Sequence, residues 1–145
     1  MSRSVLLHIH LFAIAFWLGV VAVEFLLERT RAQSRVQGFY VAALHKRIDL
    51  LAEAPAFSLA LISGLLLIEP ERLSGLYVLK IIAGLIAVLG NLWCLVPVMQ
   101  RQQAAQQEDL HRVILQSQRI DRISLIAIPA GLVALGCGFY LSELR

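Results

Sequence analysis

The sequence predicts an all-α fold, a polytopic four-helix transmembrane bundle with cytoplasmic helical extensions, built as one domain over residues 1–145. Three observations predict it. The chain is 59% hydrophobic with a mean hydropathy of +0.74, whereas a soluble domain is roughly 45–50% apolar. That excess is gathered into four runs, residues 5–27, 52–68, 76–98 and 123–141, each able to cross a bilayer once flanking helical turns are counted. The basic residues divide unevenly between the connections. Arg29, Arg31, Arg35, Lys46 and Arg47 lie between the first two runs, and Arg101, Arg112, Arg119 and Arg122 between the last two, whereas the middle connection carries only Arg72. By the positive-inside rule both larger connections are expected on the cytoplasmic face and both termini, with Arg3 and Arg145, on the other. The net charge of +3 is thereby explained by membrane orientation, and nucleic acid is not an expected partner.

Helix 1 is expected to start near Ser4. Its basic flank is a single Arg3 and no small-x-small site closes the run, so it reads as a retained helix and not as a cleaved signal. His8 and His10 sit near its outer end; two residues apart, they do not share a helix face. His10 and Trp17 are two turns apart and face the same way. Glu24 lies near the inner end within an apolar stretch, and Glu28 is expected to be solvated beside Arg29 and Arg31.

Helix 2 carries the densest chemistry. His45, Asp49 and Glu53 recur every four residues, which stacks them on one stripe. The run APAFSLALISGLLLI follows directly, so this stripe enters hydrocarbon and is expected to face protein, a cavity or a cation. An amphipathic extension is expected before His45, and Pro55 is expected to kink the helix and release a carbonyl near Glu53. EPERLSG, residues 69–75, reads as a short outer turn.

Helix 3 is expected from about Leu76. Lys80 reads as snorkelling to the outer headgroups at about the depth of His10, and Asn91 as polar glue between helices. Pro97 should weaken the inner end. No Gly or Pro interrupts residues 99–126, so helix is expected to project into the cytoplasm and run on into helix 4. Within it, Glu108 and His111 have the i,i+3 spacing of carboxylate metal sites, and Asp121 is expected to pair locally with Arg119 and Arg122. Cys94 and Cys137 form no CxxC pattern and read as small packing residues.

By depth the polar residues form an outer group, His10 and Lys80 with His8 nearby, and an inner group, Glu24, His45, Asp49 and Glu53, with Glu108, His111 and Asp121 possible additions. For haem, His10 is the first axial candidate and His45 the next, with a basic residue to pair with propionates. For a divalent ion, the inner group offers nitrogen and oxygen donors of the kind that Fe, Mn or Zn accept. The same groups could pass protons or simply pair with the neighbouring arginines.

HLFAIAFWLG in helix 1, LHKRIDLL at the start of helix 2 and YVLKIIAGLIAVLG in helix 3 resemble the small membrane proteins that include the HemJ-type protoporphyrinogen oxidases and the CopD-like copper-resistance domains. The resemblance implies a bacterial inner-membrane protein. The HemJ-type likeness implies that His10 ligates haem iron and that Lys80 orients an acidic cofactor or substrate, both serving oxidation of a porphyrin; the CopD-like likeness implies copper handling. Two functional expectations follow: a haem- or redox-metal-binding oxidoreductase, or a non-enzymatic ion-handling or assembly subunit. The expected partners are the lipid bilayer and either a homo-oligomer or a larger membrane complex.

Overall fold

The computed structural model describes residues 2–72 and 75–143; Leu73 and Ser74 of the expected outer turn, and Arg145, lie outside the described residues. The chain forms an antiparallel all-α bundle of four long helical rods. The first is α1 (Arg3–Thr30), begun by Ser2, whose hydroxyl accepts from the Val5 amide. The second rod is continuous but changes pitch: α2 (Arg35–Ile48), a π-helical turn at Asp49–Glu53, then α3 (Ala54–Leu66). A 3₁₀ turn, Pro70–Arg72, leads to α4 (Gly75–Gln106) and α5 (Leu110–Glu143). All four rods have the length and apolarity of membrane spans.

The π turn has a local cause. Pro55 has no N–H, and its ring crowds the carbonyl four residues back, so the regular ladder cannot pass through it. The Ala54 amide instead reaches Asp49 O, five residues back. This widening has a consequence for the side chains. Four residues of α-helix turn about 40° beyond a full circle, so the His45–Asp49–Glu53 stripe would drift; the slower rotation of the π turn takes that drift back.

One connection departs from expectation. Helix does not run on through residues 99–126: α4 stops at Gln106 and a tight turn reverses the chain. Glu108 supplies the left-handed residue (φ 56°) that glycine usually provides, and Asp109 caps α5 by accepting from the Arg112 amide at 3.0 Å. Pro97 and Pro129 lie inside α4 and α5 without ending either helix.

Packing is uneven. α4 and α5 are joined along their length by small residues: a Cβ on Gly90 would stand 2.8 Å from Ala127 Cβ, one on Gly131 3.6 Å from Ala87, and one on Gly84 3.9 Å from Ala134. α1 packs mainly on α3, and α2 mainly on α4, but α3 meets α4 only sparsely. The two helix pairs are thus held at the end that carries α2 and splay at the other. Arg3 bonds Glu69 (2.7 Å) at the splayed end, and Arg35 reaches Glu108 O (2.9 Å) at the joined one, which places the two basic connections together.

Candidate metal centre

Three elements converge at the joined end. Glu24 comes from α1, His45 from α2 and Asp49 from the π turn; all three are buried, and one donor atom from each lies within 4.8 Å of the others. His45 Nε2 is 3.2 Å from Asp49 Oδ1 and 4.0 Å from Glu24 Oε1. Neither Glu24 Oε1 nor Asp49 Oδ1 has a hydrogen-bond partner among the described residues. A buried, unmatched carboxylate oxygen is costly, and two of them beside one imidazole nitrogen form a donor set that a cation would satisfy.

The other side of the His45 ring is held by a second layer. Nδ1 lies 2.5 Å from Glu28 Oε1, and Glu28 is gripped by both terminal nitrogens of Arg101 at 2.7 and 2.9 Å. Arg101, 1% exposed, also reaches Ser117 Oγ (3.3 Å) and approaches His45 Nδ1 (2.7 Å). Since a guanidinium only donates, a neutral ring can order in two ways, while a doubly protonated one donates toward Glu28 and Asp49 together. With Nδ1–H donated to Glu28, Nε2 turns a lone pair toward Asp49 and Glu24; with the proton on Nε2, Nδ1 accepts from Arg101. The first tautomer is the carboxylate–histidine arrangement that prepares a metal ligand.

Glu53 completes the stripe. It is buried, its carboxyl adjoins Asp49, and Oε1 accepts from the Trp17 indole N–H at 2.9 Å. Trp17 in turn packs on Phe57, with ring centroids 6.0 Å apart. Beyond the helix ends, Arg31 donates to Asp121 (2.5 and 3.0 Å) and to Glu28 (2.6 Å), and the Asp121 carboxylate in particular holds its guanidinium pKa well above the ordinary value.

This arrangement revises several expectations. Glu28 is not a solvated surface group but the partly buried hub between Arg31, Arg101 and His45. Asp121 pairs across the bundle with Arg31 and not with Arg119 or Arg122, since neighbours in sequence point to different helix faces. Asn91 donates to Ala87 O on its own helix (3.0 Å). Glu108 and His111 are exposed at the α4–α5 turn, where the Glu108 side chain meets Arg35 at 3.3 Å; they do not join the inner group.

His10 and Lys80 are brought together elsewhere. Both line a cavity of about 900 Å³ between the splayed helix pairs, and His45 is not on its wall. His10 Nδ1 lies 3.0 Å from Ser63 Oγ, whose own proton goes to Leu59 O at 2.6 Å; Nδ1 is therefore the donor and Nε2 the ring's acceptor. Two glycines make room. A Cβ on Gly64 would stand 2.9 Å from His10 Cε1, and one on Gly138 would stand 3.5 Å from Lys80 Cε. His8 is exposed and bonds Ser4 O (2.7 Å), and both cysteines are free thiols.

Arg101, Glu28, Ser63 and Gly64 were not marked by spacing. Arg101 lies beyond an apolar run, where a cytoplasmic position explains an arginine without further partners, and only the reversal at Glu108 brings Ser117 of α5 alongside it. The chain matches no protein-family model, no curated protein and no solved structure.

Proposed function

We propose that this is a four-span membrane protein that handles a divalent cation at Glu24, His45 and Asp49, close to the face where the two basic connections lie. The observation that carries this reading is the pair of orphaned, buried carboxylate oxygens turned toward one imidazole nitrogen. Mixed nitrogen and oxygen donors suit Fe, Mn or Zn, and a bound ion would neutralise the carboxyl groups that Arg101 does not reach. Glu28 orients the ring, Arg101 fixes Glu28, and Glu53 stands beside Asp49 as a further acidic neighbour. The basic connections face the cytoplasm, both termini lie opposite, and the ion-handling role is non-enzymatic, exercised alone, as a homo-oligomer or within a larger membrane complex.

The test is elemental analysis of protein purified in mild detergent and equilibrated with Fe, Mn or Zn. Roughly one equivalent per chain is expected, falling at least about tenfold in affinity in Asp49→Asn and in His45→Ala, since each removes a ligand. Equal metal content in wild type and both variants would overturn the assignment.

A second reading rests on the cavity. Its volume lies within the roughly 300–1,000 Å³ of ligand pockets, and it presents His10 Nε2 as an acceptor together with Lys80. A neutral imidazole can ligate haem iron and a lysine can pair with a propionate; on this reading the protein is an oxidoreductase acting on a porphyrin. A Soret band that disappears in His10→Ala at unchanged protein yield is the expected sign, and a spectrum retained in that variant removes His10 as the ligand.

A further inference from the structure

On the flank of the α4–α5 pair, away from both sites, a groove of about 370 Å³ is lined by Trp93, Val96 and Pro97 of α4 and by Arg119, Arg122 and Ile123 of α5. Its two arginines are exposed. The carboxylate between them in sequence, Asp121, is engaged by Arg31. Among the described residues, Arg119 has only the neutral Gln116 as a partner (3.4 Å), and no ion pair or hydrogen bond reaches the Arg122 side chain. Two guanidiniums thus stand over an apolar groove without a counter-charge, and Trp93, 69% exposed, forms its wall.

The position of the groove identifies the ligand chemistry. Ile123 begins the apolar part of α5, and Arg119 and Arg122 fall one turn apart just before it, so the cationic and apolar lining meet at one boundary along the helix. A phosphate matches the paired guanidinium donors. Acyl chains match Val96, Ile123 and the Trp93 ring, and an exposed tryptophan at the junction is the residue type that settles at headgroup depth. A free inorganic phosphate would use the arginines and leave the apolar wall uncovered.

We infer that this groove is a binding site for an anionic phospholipid of the leaflet that faces the basic connections, with the headgroup phosphate on Arg119 and Arg122 and a chain along Trp93. The inference rests on the membrane-spanning reading above but not on the metal centre. Two arginines next to an anionic headgroup give up to roughly thirtyfold enrichment of that lipid over a zwitterionic one.

Trp93 reports on the site directly. The protein is reconstituted in phosphatidylcholine bilayers containing a small fraction of either brominated phosphatidylglycerol or brominated phosphatidylcholine, and tryptophan emission is compared with that of Trp93→Phe to isolate the Trp93 signal. Stronger quenching of Trp93 by the brominated anionic lipid at equal fraction, abolished in R119Q/R122Q, is expected. Equal quenching by the two lipids overturns the site, as does a preference that survives in R119Q/R122Q. Loss of the preference on adding millimolar inorganic phosphate assigns the arginines to a soluble anion and overturns the lipid. If neither brominated lipid quenches Trp93, the spanning reading itself fails, which separates that failure from failure of the site alone.

Discussion

Arg101 carries a large energetic stake, because it holds a buried charge against Glu28 while touching His45 and Ser117. Removing one partner of a buried pair costs far more than the pair is worth, so Arg101→Ala is expected to lose about 3–5 kcal/mol, read as a lowered unfolding midpoint in detergent. Arg101→Lys keeps the charge but cannot grip both Glu28 oxygens, and should fall between wild type and alanine. A neutral effect of alanine would mean that water and the existing Arg31 bond are enough for Glu28. At this scale the sequence was legible where periodicity acts. The four-residue spacing put His45, Asp49 and Glu53 on one stripe, and depth brought Glu24 to it. The place of Arg101 beside Glu28 was not legible, since Arg101 meets Glu28 and His45 across 73 and 56 residues of chain and no local pattern encodes such a pairing.

At the scale of elements, the π turn and the α4–α5 seam each make a distinct prediction. Pro55→Ala restores an amide and removes the ring clash, so the second rod should relax toward regular α-helix and carry Glu53 off its stripe. The Trp17–Glu53 bond should then break, seen as a shift of Trp17 emission in a Trp93→Phe background; unchanged emission would show that the π turn does not depend on Pro55. In the seam, Gly90→Leu must force α4 from α5, because even a Cβ would stand 2.8 Å from Ala127. A loss of about 1–3 kcal/mol is expected from such overpacking. Gly19→Ala, with nothing within 4 Å, should instead be neutral or mildly stabilising through helix propensity. Pro55 announced a disturbance in the sequence but not its form, since kink and π turn relieve the same clash. The reversal at Glu108 was hidden, because a glutamate in a left-handed conformation leaves none of the Gly or Pro marks by which turns are read.

At the scale of the whole molecule, hydropathy alone gave the four rods, and the uneven packing that separates the His45 cluster from the cavity came from tertiary contact. The orientation proposed for the bundle predicts opposite accessibility of its two ends. In intact cells or sealed vesicles, an impermeant maleimide should label Glu71→Cys from the side that holds the termini and Ser34→Cys only from the basic side; labelling of both from one side would reject the up-and-down arrangement. The gap between α1 and α5 is bridged at the basic end by Arg31, just beyond α1, and Asp121. Farther along, the cavity rim includes Leu11, Leu18, Leu132 and Phe139, all of which are also exposed on the apolar flank. On the membrane-spanning reading proposed above, a doorway of that composition faces lipid tails and not water. An apolar occupant that enters by this doorway, and not by the polar end at Arg3, Glu71 and Ser142, therefore arrives by first dissolving in the bilayer, and its binding is governed by its mole fraction there. An apparent dissociation constant expressed per volume of buffer should rise in proportion to the lipid or detergent added, while the same constant expressed per lipid stays fixed.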